Sequence, residues 1–120
     1  MCFQFLAACI SPVSENMEIF SVPRTVLEAD EKVQIALRAA LECVNTSICE
    51  YEACMRLVWE AIDLEESLID SFEDQTIVTA VESDIQWKKQ LFSSLPIGVT
   101  EDQLRAVIAL VKSRPFLRED

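Results

Sequence analysis

The sequence predicts an all-α fold, a four- to five-helix bundle with an irregular N-terminal arm. Three observations carry that expectation. A single glycine, Gly98, and four prolines, Pro12, Pro23, Pro96 and Pro115, leave too few breakers for an all-β domain, which turns every 8–12 residues or so. Four stretches repeat their apolar residues at the helical period. Three of them open on Thr or Ser with Glu or Gln three positions later, the pattern of a capping box. With 120 residues, 51% hydrophobic and 26% charged, the chain fits one globular domain. Residues 1–24 form the arm, expected to pack on the bundle, and residues 25–120 the helical domain.

The arm begins with the apolar stretch Met1–Ile10. Leu6-Ala7-Ala8-Cys9 is similar to a lipoprotein processing site, but no Lys or Arg precedes it and the apolar run is only about eight residues. A leader needs a basic start and a membrane span about 20 apolar residues. The stretch is therefore expected either to pack on the bundle or to lie upstream of a start at Met17. Residues 11–24, with two prolines, read as irregular, with 17–22 extended against the core.

The first helix is expected over 26–44, capped by Thr25 with Glu28. Its stripe is Val26, Ala29, Val33, Ala36, Leu37, Ala40, Leu41 and Val44. Glu28 stands four before Lys32, a favourable ion-pair spacing. The second helix, over 48–72, starts from Ser47 with Glu50 and buries Tyr51, Cys54, Met55, Val58, Ala61, Ile62, Leu68, Ile69 and Phe72. The third, over 75–93, buries Ile77, Ala80, Val81, Ile85, Leu91 and Phe92. Ser93–Gly98 is the clearest loop. The fourth, over 101–113, opens on the box Thr100/Gln103 with Val99 and Leu104 as a hydrophobic staple. Arg114-Pro115 ends it, because the residue before proline avoids helical geometry. The tail 116–120 is expected to be loose, with Phe116 and Leu117 available to dock.

Composition narrows the chemistry. There is no histidine, so Ser-His-Asp and Cys-His catalysis and His-containing zinc sites are excluded. Five cysteines, Cys2, Cys9, Cys43, Cys49 and Cys54, form no C-x-x-C, and their number is odd. That is neither a disulfide scaffold nor a zinc ribbon. Cys43 and Cys54 are read as small buried hydrophobes, and the implied compartment is the cytoplasm or nucleus rather than the exterior. With 21 acids against 10 bases the net charge is −11, which repels nucleic acid and anionic lipid. The bases are scattered, Lys88-Lys89 being the only adjacent pair, so direct nucleic-acid binding is not expected.

Glu28-x-x-Glu31 is followed, after 28 intervening residues, by Glu60-x-x-Asp63. Over these four residues the chain resembles the all-α nucleotide pyrophosphohydrolases of the MazG type. That resemblance implies a magnesium site built from facing helices and hydrolysis of a nucleotide. The face geometry reads differently. At about 100° per residue, all four acids point away from the stripes centred on Val33 and Val58. No convergent reactive cluster is then expected, and the chain is read as non-catalytic, with no cofactor.

Glu65 falls inside the second helix's apolar stripe and Lys88 inside the third's, with Asp84 one turn earlier. A lone buried charge costs several kcal/mol. The two are therefore expected to pair between helices two and three, fixing their register, or to lie at a bundle edge.

Two surfaces suggest binding. Seven acids and no base lie between Glu60 and Asp74, and Glu60, Asp63, Glu66 and Asp70 are the residues expected to meet a basic protein surface. Helix four has seven apolar residues in the eight positions 104–111. It is either buried on every side or paired outside its own bundle. In the second case Leu104, Val107, Leu110 and Val111 would touch a partner or another copy in a homo-oligomer. Trp59 and Trp87, off their stripe centres, could extend that surface. The leading expectation is a protein–protein interaction module: an adaptor, inhibitor or regulatory subunit. The alternatives are an acidic decoy or immunity-type inhibitor of a nucleic-acid-binding enzyme, and the magnesium-dependent pyrophosphohydrolase.

Overall fold

The structure, a computed structural model, describes residues 20–113 and 117–119. Among them four helices form an all-α bundle: α1 (Arg24–Cys43), α2 (Ile48–Ser67), α3 (Gln75–Ser93) and α4 (Glu101–Lys112). The expected arm lies outside the described residues up to position 19. Its last part is β1 (Phe20–Val22), which leads into α1 with Val22 fully buried.

Each helix forms where its apolar period runs. In α1, Val26, Ala29, Val33, Ala36, Leu37 and Ala40 are buried, which is the expected stripe. The start differs. Pro23, at φ −60°, occupies the N-cap without a side-chain hydrogen bond, and Thr25 lies inside the first turn. Proline is preset for helix entry, so the helix begins two residues early without Thr25's hydroxyl. Glu28 consequently pairs backward with Arg24, at 3.8 Å, rather than forward with Lys32.

Ser47 caps α2 as expected, its hydroxyl accepting from the Glu50 amide at 3.3 Å. The helix ends at Ser67, and a 3-10 turn over Ile69–Ser71 replaces the expected last turn. Asp74 caps α3 through the Thr76 amide at 2.8 Å. Gly98, at φ +79°, closes the loop before α4 in a conformation that a side chain would strain. The Thr100/Gln103 box holds in both directions, at 2.9 and 3.2 Å.

The short link between α1 and α2 makes them antiparallel neighbours, and they form the most extensive helix pair in the bundle. Ala36, Ala40 and Ala61 at their buried faces let the backbones approach closely. α4 packs on α1, and α3 on α2. The tail was expected to be loose. Its residues Leu117–Glu119 instead form β2, parallel to β1, pairing Phe20 with Leu117, Ser21 with Arg118 and Val22 with Glu119. A parallel pair needs a long crossover, and here the whole bundle lies between the two strands. The docking role expected of Phe116 lies outside the described residues.

Candidate functional site

The most unusual chemistry is internal. Lys88, fully buried on α3, places its ammonium 2.8 Å from Glu65 Oε1 on α2, 2.6 Å from Asp84 Oδ2 one turn back, and 2.6 Å from Asp30 Oδ1 on α1. The Glu65–Lys88 pairing expected from the stripes is present. The site is larger than the pair, because Asp30 joins a third helix to it. Asp30 is the only acid of the three with any water access, 16% of its side chain, and its other oxygen accepts from Gln34 Nε2 at 2.9 Å. At about 100° per residue Asp30 stands roughly 60° from Val33. The angular argument that singled out Glu65 would have found it.

Three carboxyl groups cannot all ionise around one buried ammonium. Burial and the neighbouring Asp84 charge push the Glu65 carboxyl up to about 9, against the opposing pull of Lys88. Glu65 Oε2 is buried without an N–H or O–H donor. A proton on Glu65 would turn it into a donor toward the neighbouring Asp84 carboxyl group. Burial alone would lower the Lys88 ammonium, but the neighbouring carboxyl groups, Asp84 and Asp30 ahead of Glu65, outweigh it and hold it well above the ordinary lysine range. One ammonium, two carboxylates and one neutral acid leave a single net negative charge, and the partly wet Asp30 is the group best able to carry it. The cluster ties three helices together. Sealed from water at Glu65, Asp84 and Lys88, it offers no entry for a substrate.

The surface residues expected to bind a partner divide into two groups. Glu60, Asp63, Glu66 and Asp70 are all exposed, and Glu66 accepts from Lys89 Nζ with both oxygens at 3.2 Å. Leu104, Val107 and Val111 are no more than 3% exposed and belong to the chain's own core. Their expected role at a partner surface is corrected: α4 lays that face on α1, while Ile108 stays half-buried and Ala109 exposed. Leu110 is half-buried at its margin. Trp87 is likewise core, at 5% exposure, while Trp59 is half-buried with its ring edge-on to Phe92 at 6.4 Å. Cys43 and Cys54 are half-buried free thiols, and Cys49 is exposed.

Glu28, Glu31, Glu60 and Asp63 are all exposed. Among the described residues no group of three or more acids or thiols could hold a metal ion. No helix among them is long and apolar enough to cross a membrane.

A groove that the sequence reading missed runs between α1 and α2. It encloses about 400 Å³ and is lined by Lys32, Ile35, Ala36, Ala39, Leu57, Glu60, Ala61 and Leu64. Ile35, Leu57 and Leu64 are 55%, 53% and 40% exposed, although large and apolar. The signal was present in the heptad spacing of Leu57 and Leu64, off the main stripe. Comparison with family models, with curated proteins and with solved structures finds no match.

Proposed function

We propose that the chain is a non-catalytic protein-interaction module, an adaptor, inhibitor or regulatory subunit, that receives an apolar helix with basic flanks between α1 and α2. The observation that carries the reading is the α1–α2 groove. Its walls are Ile35, Leu57 and Leu64, and its floor holds the small residues Ala36, Ala39 and Ala61. A floor of small residues between apolar walls suits an amphipathic helix laid lengthwise. Glu60 and Lys32 both line the groove, and beyond it Asp63, Glu66 and Asp70 are exposed acids along the chain. Those charges favour a basic partner and speed encounter more than they add affinity. Free thiols at Cys43, Cys49 and Cys54 suit work in the cytoplasm or nucleus.

The test is capture from native lysate with the wild-type chain and with the Leu57→Ser/Leu64→Ser variant, at low salt and at roughly 0.5 M salt. The expected result is a bound protein that persists at high salt and is missing from the variant. A set of partners that the variant retains in full would sink the reading. Partners held only at low salt would favour the acidic decoy instead. Mass measurement of the purified chain in the same preparation reads self-association.

A further inference from the structure

A second groove has a basic rim. It lies between α1 and α4, encloses about 560 Å³, and has Leu41, Ile108 and Ala109 between Arg38, Arg105 and Lys112. These are three of the ten basic residues in a chain of net charge −11. Of the other bases with described side chains, Lys88 is buried, Lys89 is held by Glu66 and Arg24 by Glu28, while Lys32 and Arg56 are exposed elsewhere on the surface. Within the groove, Arg105 gives hydrogen bonds from Nε and Nη2 to Glu101 Oε2, at 3.0 and 2.7 Å, which fixes its guanidinium against α4. Arg38 and Lys112 are exposed and make no ion pair among the described residues. Two cations on facing helices are thus available across an apolar strip.

We infer that the α1–α4 groove is a docking surface for an acidic amphipathic helix of another protein. Three features point to that occupant. The groove is open along its length rather than enclosed, which suits a polypeptide segment better than a small molecule. Its apolar strip comes from both helices, Leu41 on α1 with Ile108 and Ala109 on α4, and would take anchors at helical spacing. Its cations flank that strip, so an acidic segment is attracted to it and a basic one is repelled. This surface is separate from the α1–α2 groove and does not rest on the function proposed for it.

The test uses the full chain and two synthetic 18-residue amphipathic helices, one with Leu and Glu on opposite faces and one with Lys in place of Glu. Backbone amide shifts are followed by NMR during titration. The Glu peptide is expected to move the amides around Arg38, Ile108 and Lys112. Its affinity should fall roughly threefold to tenfold in Arg38→Gln/Lys112→Gln, the range for losing two exposed charge contacts. It should also weaken with added salt. Both substitutions are at exposed positions, and the unfolding midpoint checks that the variant is folded. The inference is overturned if the Glu peptide leaves those amides unmoved, if it binds the variant equally well, or if the Lys peptide moves the same amides. It is overturned as well if sedimentation shows self-association that Arg38→Gln/Lys112→Gln abolishes, because the groove would then hold the acidic face of a second copy.

Discussion

The ammonium of Lys88 and the carboxyl of Glu65 meet at 2.8 Å between α3 and α2, with no more than 1% of either side chain exposed. Two further carboxylates, Asp84 and Asp30, lie 2.6 Å from the same nitrogen. A buried pair of this kind is weak evidence for net stability, since apolar residues of similar volume often serve as well. Its value is registry, because each partner is worth most only when the others are in place.

Lys88→Met removes the single cation from this cluster. Asp30 and Asp84 then face one another uncompensated, and the expected loss is about 3–5 kcal/mol. Urea unfolding followed by circular dichroism measures it. A loss under about 1 kcal/mol would mean that water reaches the site or that the carboxyls take up protons without penalty.

The Glu65 carboxyl sits near 9 in the folded chain against an ordinary 4.5. Between those values the folded state holds a proton that the unfolded state has released. The stability from this group is therefore complete below about pH 4.5 and is lost as pH rises toward 9, at up to about 1.4 kcal/mol per pH unit for one proton. Lys88, also raised, keeps its contribution through this window and loses it only above its ordinary 10.5. Glu65→Gln, which imitates the neutral acid, should flatten the decline between pH 5 and 9. Unfolding curves that stay parallel for the two proteins across that range would contradict a protonated Glu65.

At the start of α4, the Thr100 hydroxyl accepts from the Gln103 amide at 3.2 Å. Thr100→Ala should cost about 1 kcal/mol. Hydrogen exchange should accelerate first at the amides of Asp102 and Gln103, and uniform acceleration across α4 would show that the cap is not the cause.

Leu104 is fully buried, while Ala109 on the same helix is exposed. Leu104→Ala should cost about 2–5 kcal/mol, and Ala109→Ser should stay within about 0.5 kcal/mol. Comparable effects at the two positions in thermal or urea unfolding would return α4 to the status of an interface helix.

The α1 stripe from Val26 to Ala40, the Ser47 and Thr100 caps, and the bounds of α3 were all legible in the sequence. Each depends on side chains within one or two helical turns of one another. The Glu65–Lys88 pair was legible too, because a charge inside an apolar stripe must find a counter-charge. The burial of Trp87 and of the Leu104 face was not, since an angular position on one helix does not say how wide a face its neighbours will cover.

By itself, then, the sequence determined the four helices, most of their ends and the presence of an internal ion pair, all consequences of local period and local hydrogen bonding. Only the tertiary structure decided that Asp30 completes the cluster, that β1 meets β2 across the whole chain, and that one groove opens between α1 and α2 and another, rimmed by three bases, between α1 and α4. Those features arise from how each helix is rotated and which neighbour it meets. That choice is made by contacts between residues far apart in sequence, and the period of one helix does not say which neighbour its face will meet.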